Sequence, residues 1–289
     1  MRTFAFHAVI DWSGESVAFP KGLAVAYAND ATTAPVPLRP EGGWSRQSIL
    51  EWLQRLAREK TDILVGLDLS PALPFHDCNS YFPGWPEAPT YASRLWQLVD
   101  TICEADLHLS TRSFLDHDEY RRHFRQIRDL GDLFQPGRGR LRVCEHRQLE
   151  SGLSPTSCFN LVGAAQVGKS SLTGMRVLNR LRGSIPIWPF DPVAPKGPVL
   201  VEIYTAVAAV AAARSKTRSK VRSADELDAA LAALGSDKHR PLAKYDDHTT
   251  DAILTTAWLR RAALVEGHWS PPGLTPALAR TEGWTFGIV

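Results

Sequence analysis

The chain opens with short apolar blocks and then switches to a helical period. "FAFHAVIDWSG" reads as a strand closed by a turn, with Asp11 and Gly14 at the first and fourth turn positions. "ESVAFP" and "LAVAYAND" read as two further short strands, which together predict a meander of hairpins. "DATTAPVPLRPEGG" reads as a Pro/Gly-rich loop. In "SRQSILEWLQRLAREK", Ile49, Trp52, Leu53 and Leu56 fall on one helical face, and Ser45 or Ser48 is placed to cap it. "TDILVGLDLSP" is a short apolar run between turn signals, as suits a buried strand. The order strand, strand, strand, helix, strand predicts an α/β fold with a mixed sheet and helices on its faces.

The middle of the chain breaks this rhythm. "PALPFHDCNSYFPGWPEAP" reads as a structured loop, and "TYASRLWQLVDTICEADL" and "DHDEYRRHFRQIRDLGDLF" read as helices. "QPGRGRLRVCEHR" reads as a basic loop leading into a strand, followed by a short helix near "SLTGMRVLNRLRG" and then "SIPIWPFD". Strand character returns at "GPVLVEIYTAV". "SADELDAALAALG" has a Ser cap and a Gly stop, and "DDHTTDAILTTAWLRRAALVEG" is an amphipathic helix with acids in its first turn. The pattern therefore predicts a core built from residues 1–75 and 196–289. Residues 76–195 form an insertion or cap packed on it in a single globular unit, too long for an ordinary connection.

Composition changes this picture little. The 289 residues are 44% hydrophobic and 22% charged, an ordinary globular balance, and the net charge of +2 does not by itself call for nucleic acid. Cys78, Cys103, Cys144 and Cys158 form no C-x-x-C pair, which argues against a zinc or disulfide scaffold and for reduced thiols in a cytoplasm. The start lacks the features of a signal peptide, and no run approaches the roughly 18 apolar residues of a membrane span. The expectation is a cytoplasmic protein with no membrane partner.

The candidate chemistry lies in carboxylates at element ends. Asp11 ends the first strand, Asp68 ends "ILVGLD", and Glu202 lies inside "VLVEIY". Asp247 and Asp251 stand four apart on the last helix and share a face, with His248 between them. Each has a plainer reading. Asp11 starts a turn, Asp68 caps a segment, and the helix acids complement a dipole. Glu202 is harder to dismiss, because a carboxylate in an apolar strand must be paired or ligate a metal. Carboxylates held together repel, and a hard cation such as Mg²⁺ relieves that repulsion. Two such ions about 4 Å apart assist phosphodiester cleavage.

The motifs "IDWSG", "VGLDLSPALP", "VEIYTAV" and "DDHTTDAIL", in this order, resemble the RNase H-like superfamily. The last resembles the final-helix motif of RuvC-type resolvases. The whole set resembles the predicted RNase H-like nuclease family known as domain of unknown function 429. The likeness covers both ends of the chain and the middle only loosely. It implies a divalent-metal-dependent nuclease with a two-ion Mg²⁺ or Mn²⁺ site. Asp11, Asp68 and Asp251 would be ligands, Asp247 a fourth, and Glu202 would join them or stand behind them. His248 would position the attacking water or a phosphate. The partner implied is nucleic acid, and since RuvC-type resolvases act as dimers, a homodimer is part of the expectation. Thr205 departs from the pattern, since such proteins often carry Pro after "E-[IV]-Y"; this is expected to bear on local backbone shape and to leave the acids untouched.

One motif points elsewhere. Gly163-Ala-Ala-Gln-Val-Gly168-Lys169-Ser170 fits the phosphate loop G-x-x-x-x-G-K-[ST]. Such a loop needs a strand before it, a helix after it and a further strand ending in Asp, and no such later strand follows at a suitable distance. A nucleotide-binding or ATPase reading thus stands as the alternative, beside a catalytically silent nucleic-acid-binding protein on the same fold. Polyanion contacts are expected from Lys169, from Arg138, Arg140, Arg142 and Arg147, and from the alternating Arg214, Lys216, Arg218, Lys220 and Arg222. Each basic cluster also reads as a solvated loop. Tyr81, Phe82, Trp85 and Tyr91 either stack unpaired bases or pack their Pro-rich loop.

Overall fold

A computed structural model describes residues 2–29, 32–163, 167–214 and 220–289. Among them, six strands form one mixed sheet: β1 (Phe6–Asp11), β2 (Ala24–Ala28), β3 (Val36–Leu38), β4 (Ile63–Asp68), β5 (Ile187–Trp188) and β6 (Val199–Glu202). Their spatial order is β3-β2-β1-β4-β6-β5. β2 is antiparallel to β1 and to β3, while β4, β6 and β5 continue parallel to β1.

The expected meander is present with a different third strand. "ESVAFP" forms bends, and the third strand is Val36-Pro37-Leu38, inside the stretch read as a loop. Pro37 sits opposite Ala26 on the edge strand, where its missing N–H deprives no outer neighbour of a ladder bond. β5 likewise lies in a segment with two prolines. Pro186 and Pro189 flank a pairing of only Ile187 and Trp188 with β6.

The helices are α1 (Arg46–Arg58), α2 (Ala92–Ile102), α3 (Arg112–Asp116), α4 (Asp118–Arg121), α5 (Val143–Glu150) and α6 (Val167–Leu181), followed by α7 (Thr205–Ala211), α8 (Ala224–Ala233), α9 (Asp247–Ala262), α10 (Glu266–Trp269) and α11 (Pro276–Thr281). α1 begins as its sequence predicts: Ser45 caps it, and Ser48 returns a bond to the Ser45 N–H. The basic segment leads into helix α5 rather than a strand, because the Glu145 carboxylate reaches back 2.8 Å to accept from the Arg142 N–H. The helix near "SLTGM" is longer than expected and starts ahead of Lys169.

Side chains alternate across the sheet as the pleat requires. Ala8 and Ile10 of β1 and Val65 and Leu67 of β4 pack with Leu53 of α1, Trp96 of α2 and Leu172 of α6. Val9, Leu64 and Val201 face the other way, toward Leu227 of α8, Ile253 and Leu259 of α9, and Trp284. Residues 76–195 therefore supply most of one helical layer together with edge strand β5. The expected boundary at 195 falls beyond a strand of the same sheet. Because β1, β4 and β6 are parallel, their C-terminal ends share one edge, and there Asp11 is the register partner of Asp68.

Candidate functional site

Asp11 and Asp68 stand side by side at the ends of adjacent parallel strands, and α9 packs across β1 and β2. His248, in the first turn of α9, places Nδ1 3.1 Å from Asp11 Oδ2. Burial pushes the Asp11 carboxyl up to about 6, against the hydrogen bond and charge of His248, and the charge of Asp251 raises it further. The Asp68 carboxyl lies well above the usual range, again first through burial and then through the charges of Asp11 and Asp251. Burial also raises Asp251, while Lys220 pulls it down. Three carboxylates thus share one electrostatic neighbourhood, and each resists ionisation.

Thr205 bears on the acids, since its backbone N–H lowers the Asp68 carboxyl and proline has no N–H to do so.

Cationic side chains already attend the outer acids. Lys220 Nζ lies 3.2 Å from Asp251 Oδ2 and 3.4 Å from Asp247 Oδ2, and Arg222 also pairs with Asp247. Burial raises the Asp247 carboxyl, but its bonds to Arg222 and Lys220 outweigh this and hold it below the ordinary value. Lys220 and Arg222 were legible only as basic residues two apart. That spacing places both on one side of an extended segment, and here both reach Asp247. Asp246 is the helix cap, accepting from the Thr249 N–H at 2.9 Å.

Glu202 is not free to ligate. Arg142 Nη1 and Nη2 donate to its two carboxylate oxygens at 2.8 and 2.5 Å, and Thr285 donates a further bond at 2.7 Å. Arg142 also pairs with Glu145 at 3.0 Å and is fully buried, so its guanidinium is taken up by these two carboxylates at the wall of the acid pocket. Arg140 is likewise a buried staple, bonded to Asp77 and to the carbonyls of Pro74, Ser80 and Tyr81. Arg138 is exposed, Arg214 donates to the Lys220 carbonyl, and Lys216 and Arg218 lie outside the described residues. Tyr81 and Phe82 are fully buried and Trp85 packs edge-on against Tyr120, so these three pack the loop. Tyr91 remains exposed.

A pocket of about 350 Å³ opens beside the acids, lined by Asp68, His248, Trp12, Ser13, Lys169 and Ser170. Lys169 and Ser170 arrive there because α6 is seated on the loops that follow β1 and β4. A Cβ on Gly14 would stand 2.4 Å from the Lys169 carbonyl carbon, and one on Gly174 would stand 2.4 Å from Leu69 Cδ2. Trp12 Nε1 donates to Thr173 Oγ1 at 3.0 Å, and the Ser70 N–H to Ser171 Oγ at 3.3 Å. Gly14 and Gly174, both outside the phosphate-loop letters, are thus what lets α6 approach the strand ends, whereas Gly168 within those letters packs against the Cys158 carbonyl. Among the described residues no strand leads into this helix, since Asn160 makes only an isolated bridge to Arg125. Ala164, Ala165 and Gln166 of the motif lie outside them.

The chemistry of Asp11, Asp68 and Asp251 suits a hard divalent cation: all-oxygen ligands, mutually repelling, withdrawn from water. As arranged, no group of three or more His, Cys, Asp or Glu side chains among the described residues is set to hold a metal ion. Lys220 supplies the positive charge in this arrangement. All four cysteines are free, three of them buried. Among the described residues no helix is long and apolar enough to cross a membrane. No protein-family model, curated protein or solved structure matches the chain.

Proposed function

We propose that the chain hydrolyses nucleic-acid phosphodiester bonds with a divalent cation, Mg²⁺ or Mn²⁺, held by Asp11, Asp68 and Asp251. One observation carries this reading. Asp11 and Asp68 are register partners at parallel strand ends, and the charge of Asp251 raises both. The antiparallel β1–β3 unit followed by parallel β4 and β6 supports the RNase H-like likeness read from the motifs. A bound cation would supply positive charge against the phosphate and acidify a water. The chain's own groups have separate tasks. Asp11 accepts a hydrogen bond from His248 and so orients the imidazole at the pocket wall. The Lys169 ammonium offers a charge to a phosphate oxygen. Asp247, engaged by Arg222 and Lys220, anchors the basic segment beside the site. Asp11→Asn is expected to abolish cleavage of labelled oligonucleotides in Mg²⁺ and Mn²⁺ while preserving circular dichroism. Undiminished cleavage would overturn the reading.

A second reading, nucleic-acid binding without turnover, is favoured by Lys220, which already pairs with Asp247 and Asp251. Equal binding by wild type and Asp11→Asn, with no cleavage of any substrate in either metal, decides for it.

A further inference from the structure

Lys169 lies where three depressions meet. It lines the acid pocket. It also lines a second groove of about 720 Å³ with Gly14, Val17, Phe19 and Lys21, and a third of about 450 Å³ with Ile127 and Arg128. Thr173 donates to the Lys169 carbonyl at 2.9 Å, but among the described residues no hydrogen bond or ion pair engages the Lys169 ammonium. Phe19 is 58% exposed, and Val17 beside it is 49% exposed. Phe19 sits in the segment of bends between β1 and β2, and among the described residues it packs against no other ring. An exposed aromatic beside unpaired lysines, at the mouth of an acid pocket, matches the recognition of unpaired bases. Every base has a π-face for stacking, and lysines follow the backbone without reading sequence. In a duplex those faces are already covered, and a pocket of about 350 Å³ is at the small end for any ligand. In the groove that holds Phe19, Lys21 and Lys169 outweigh the one acid, Glu15, while in the third groove Arg128 stands beside Asp129, which pairs with Arg121.

We propose that the groove from Asp68 past Lys169 to Phe19 binds a single-stranded nucleic-acid segment, with Phe19 stacking an unpaired base and Lys169 and Lys21 contacting phosphates. This inference rests on the hydrolytic reading for its choice of ligand and adds the substrate class. Of the aromatics that sequence singled out, Tyr81, Phe82 and Trp85 pack their loop, and exposed Tyr91 lines a separate depression with Trp96 and Phe190.

The test is fluorescence anisotropy of the full chain in EDTA with a labelled oligothymidine and a hairpin duplex. The oligothymidine is expected to bind more tightly. Phe19→Ala should weaken it about 10-fold or more, while Phe19→Trp restores it. Lys169→Gln and Lys21→Gln should each flatten the dependence of log affinity on log salt by roughly 0.7. Leu264→Ala, an exposed apolar residue outside the groove, should change nothing. Unchanged binding by Phe19→Ala, duplex binding as tight as single-strand binding, or no binding to either overturns the proposal. The two readings fail separately. Phe19-dependent single-strand binding without cleavage in any metal removes only hydrolysis. Metal-dependent cleavage with binding indifferent to Phe19 removes only the groove.

Discussion

Asp11 shows how the price of a charged site is set by one side chain. Its folded carboxyl is raised to about 6, chiefly by burial. A raised folded value means the native state holds the proton more tightly than the unfolded chain. The stabilisation is complete below the ordinary carboxylate value and is lost as pH rises through about 6. Asp77 and Asp100, held low by arginines despite burial, act in the opposite sense and lose their contribution as pH falls. The comparison of wild type with Asp11→Asn isolates the first effect. Urea unfolding in EDTA should find the variant more stable at pH 8 by roughly 1–3 kcal/mol, with the difference vanishing near pH 4. Lys220→Met removes the ammonium that now pairs with Asp251. Calorimetric titration should therefore show tighter Mn²⁺ binding than wild type, by about 10-fold if one charge contact is exchanged. Arg142→Met leaves Glu145 and Glu202 buried without their partner and should cost about 3–5 kcal/mol in urea unfolding. Adding Glu202→Gln should recover part of that. The acids at element ends were legible because strand and helix boundaries are local signals. Glu202 was half legible: a carboxylate in an apolar strand demanded a partner, but nothing local named Arg142, which lies 60 positions away.

Helix α6 is the element on which the pocket depends. It brings Lys169 to the acids because Gly14 and Gly174 leave no Cβ in its path. Gly14→Ala would place a methyl against the α6 backbone. It should destabilise the fold by about 1–3 kcal/mol and weaken oligonucleotide binding together with stability, as thermal melts and anisotropy on the same variant would show. Within the phosphate-loop letters Gly168 has a packing role, since a Cβ there would stand 2.1 Å from the Cys158 carbonyl oxygen, and glycines that admit a phosphate and glycines that admit a neighbouring segment are spelled alike. β3 and β5 were illegible for a related reason. Proline vetoes a central strand, and whether a strand lies at an edge depends on its neighbours in space. α1, α8 and α9 were readable because their caps, Ser45, Ser223 and Asp246, lie within three residues of the N–H groups they serve.

The whole molecule places a buried cluster on each face of one sheet, and residues 76–195 supply much of one of them through α2 and α6. Replacing that stretch by a short linker is expected to abolish cooperative thermal unfolding, because Ile10, Val65 and Leu67 would lose their cover. A retained sharp transition would show that the remaining segments fold alone. The α/β class was foreseeable from the order of elements, and so was the placement of Asp11 beside Asp68 at parallel strand ends. The place of β5 in the sheet was not, because it joins through β6, which comes after it in the chain. The bond between His248 and Asp11 spans 237 positions. At roughly 5–20 residues per second of synthesis, a growing chain carries Asp11 for many seconds before α9 emerges from the ribosome. During that interval Asp251 and His248 do not yet exist beside it. Under the proposed function, the site is incomplete during synthesis, and cleavage waits until the last large helix has docked.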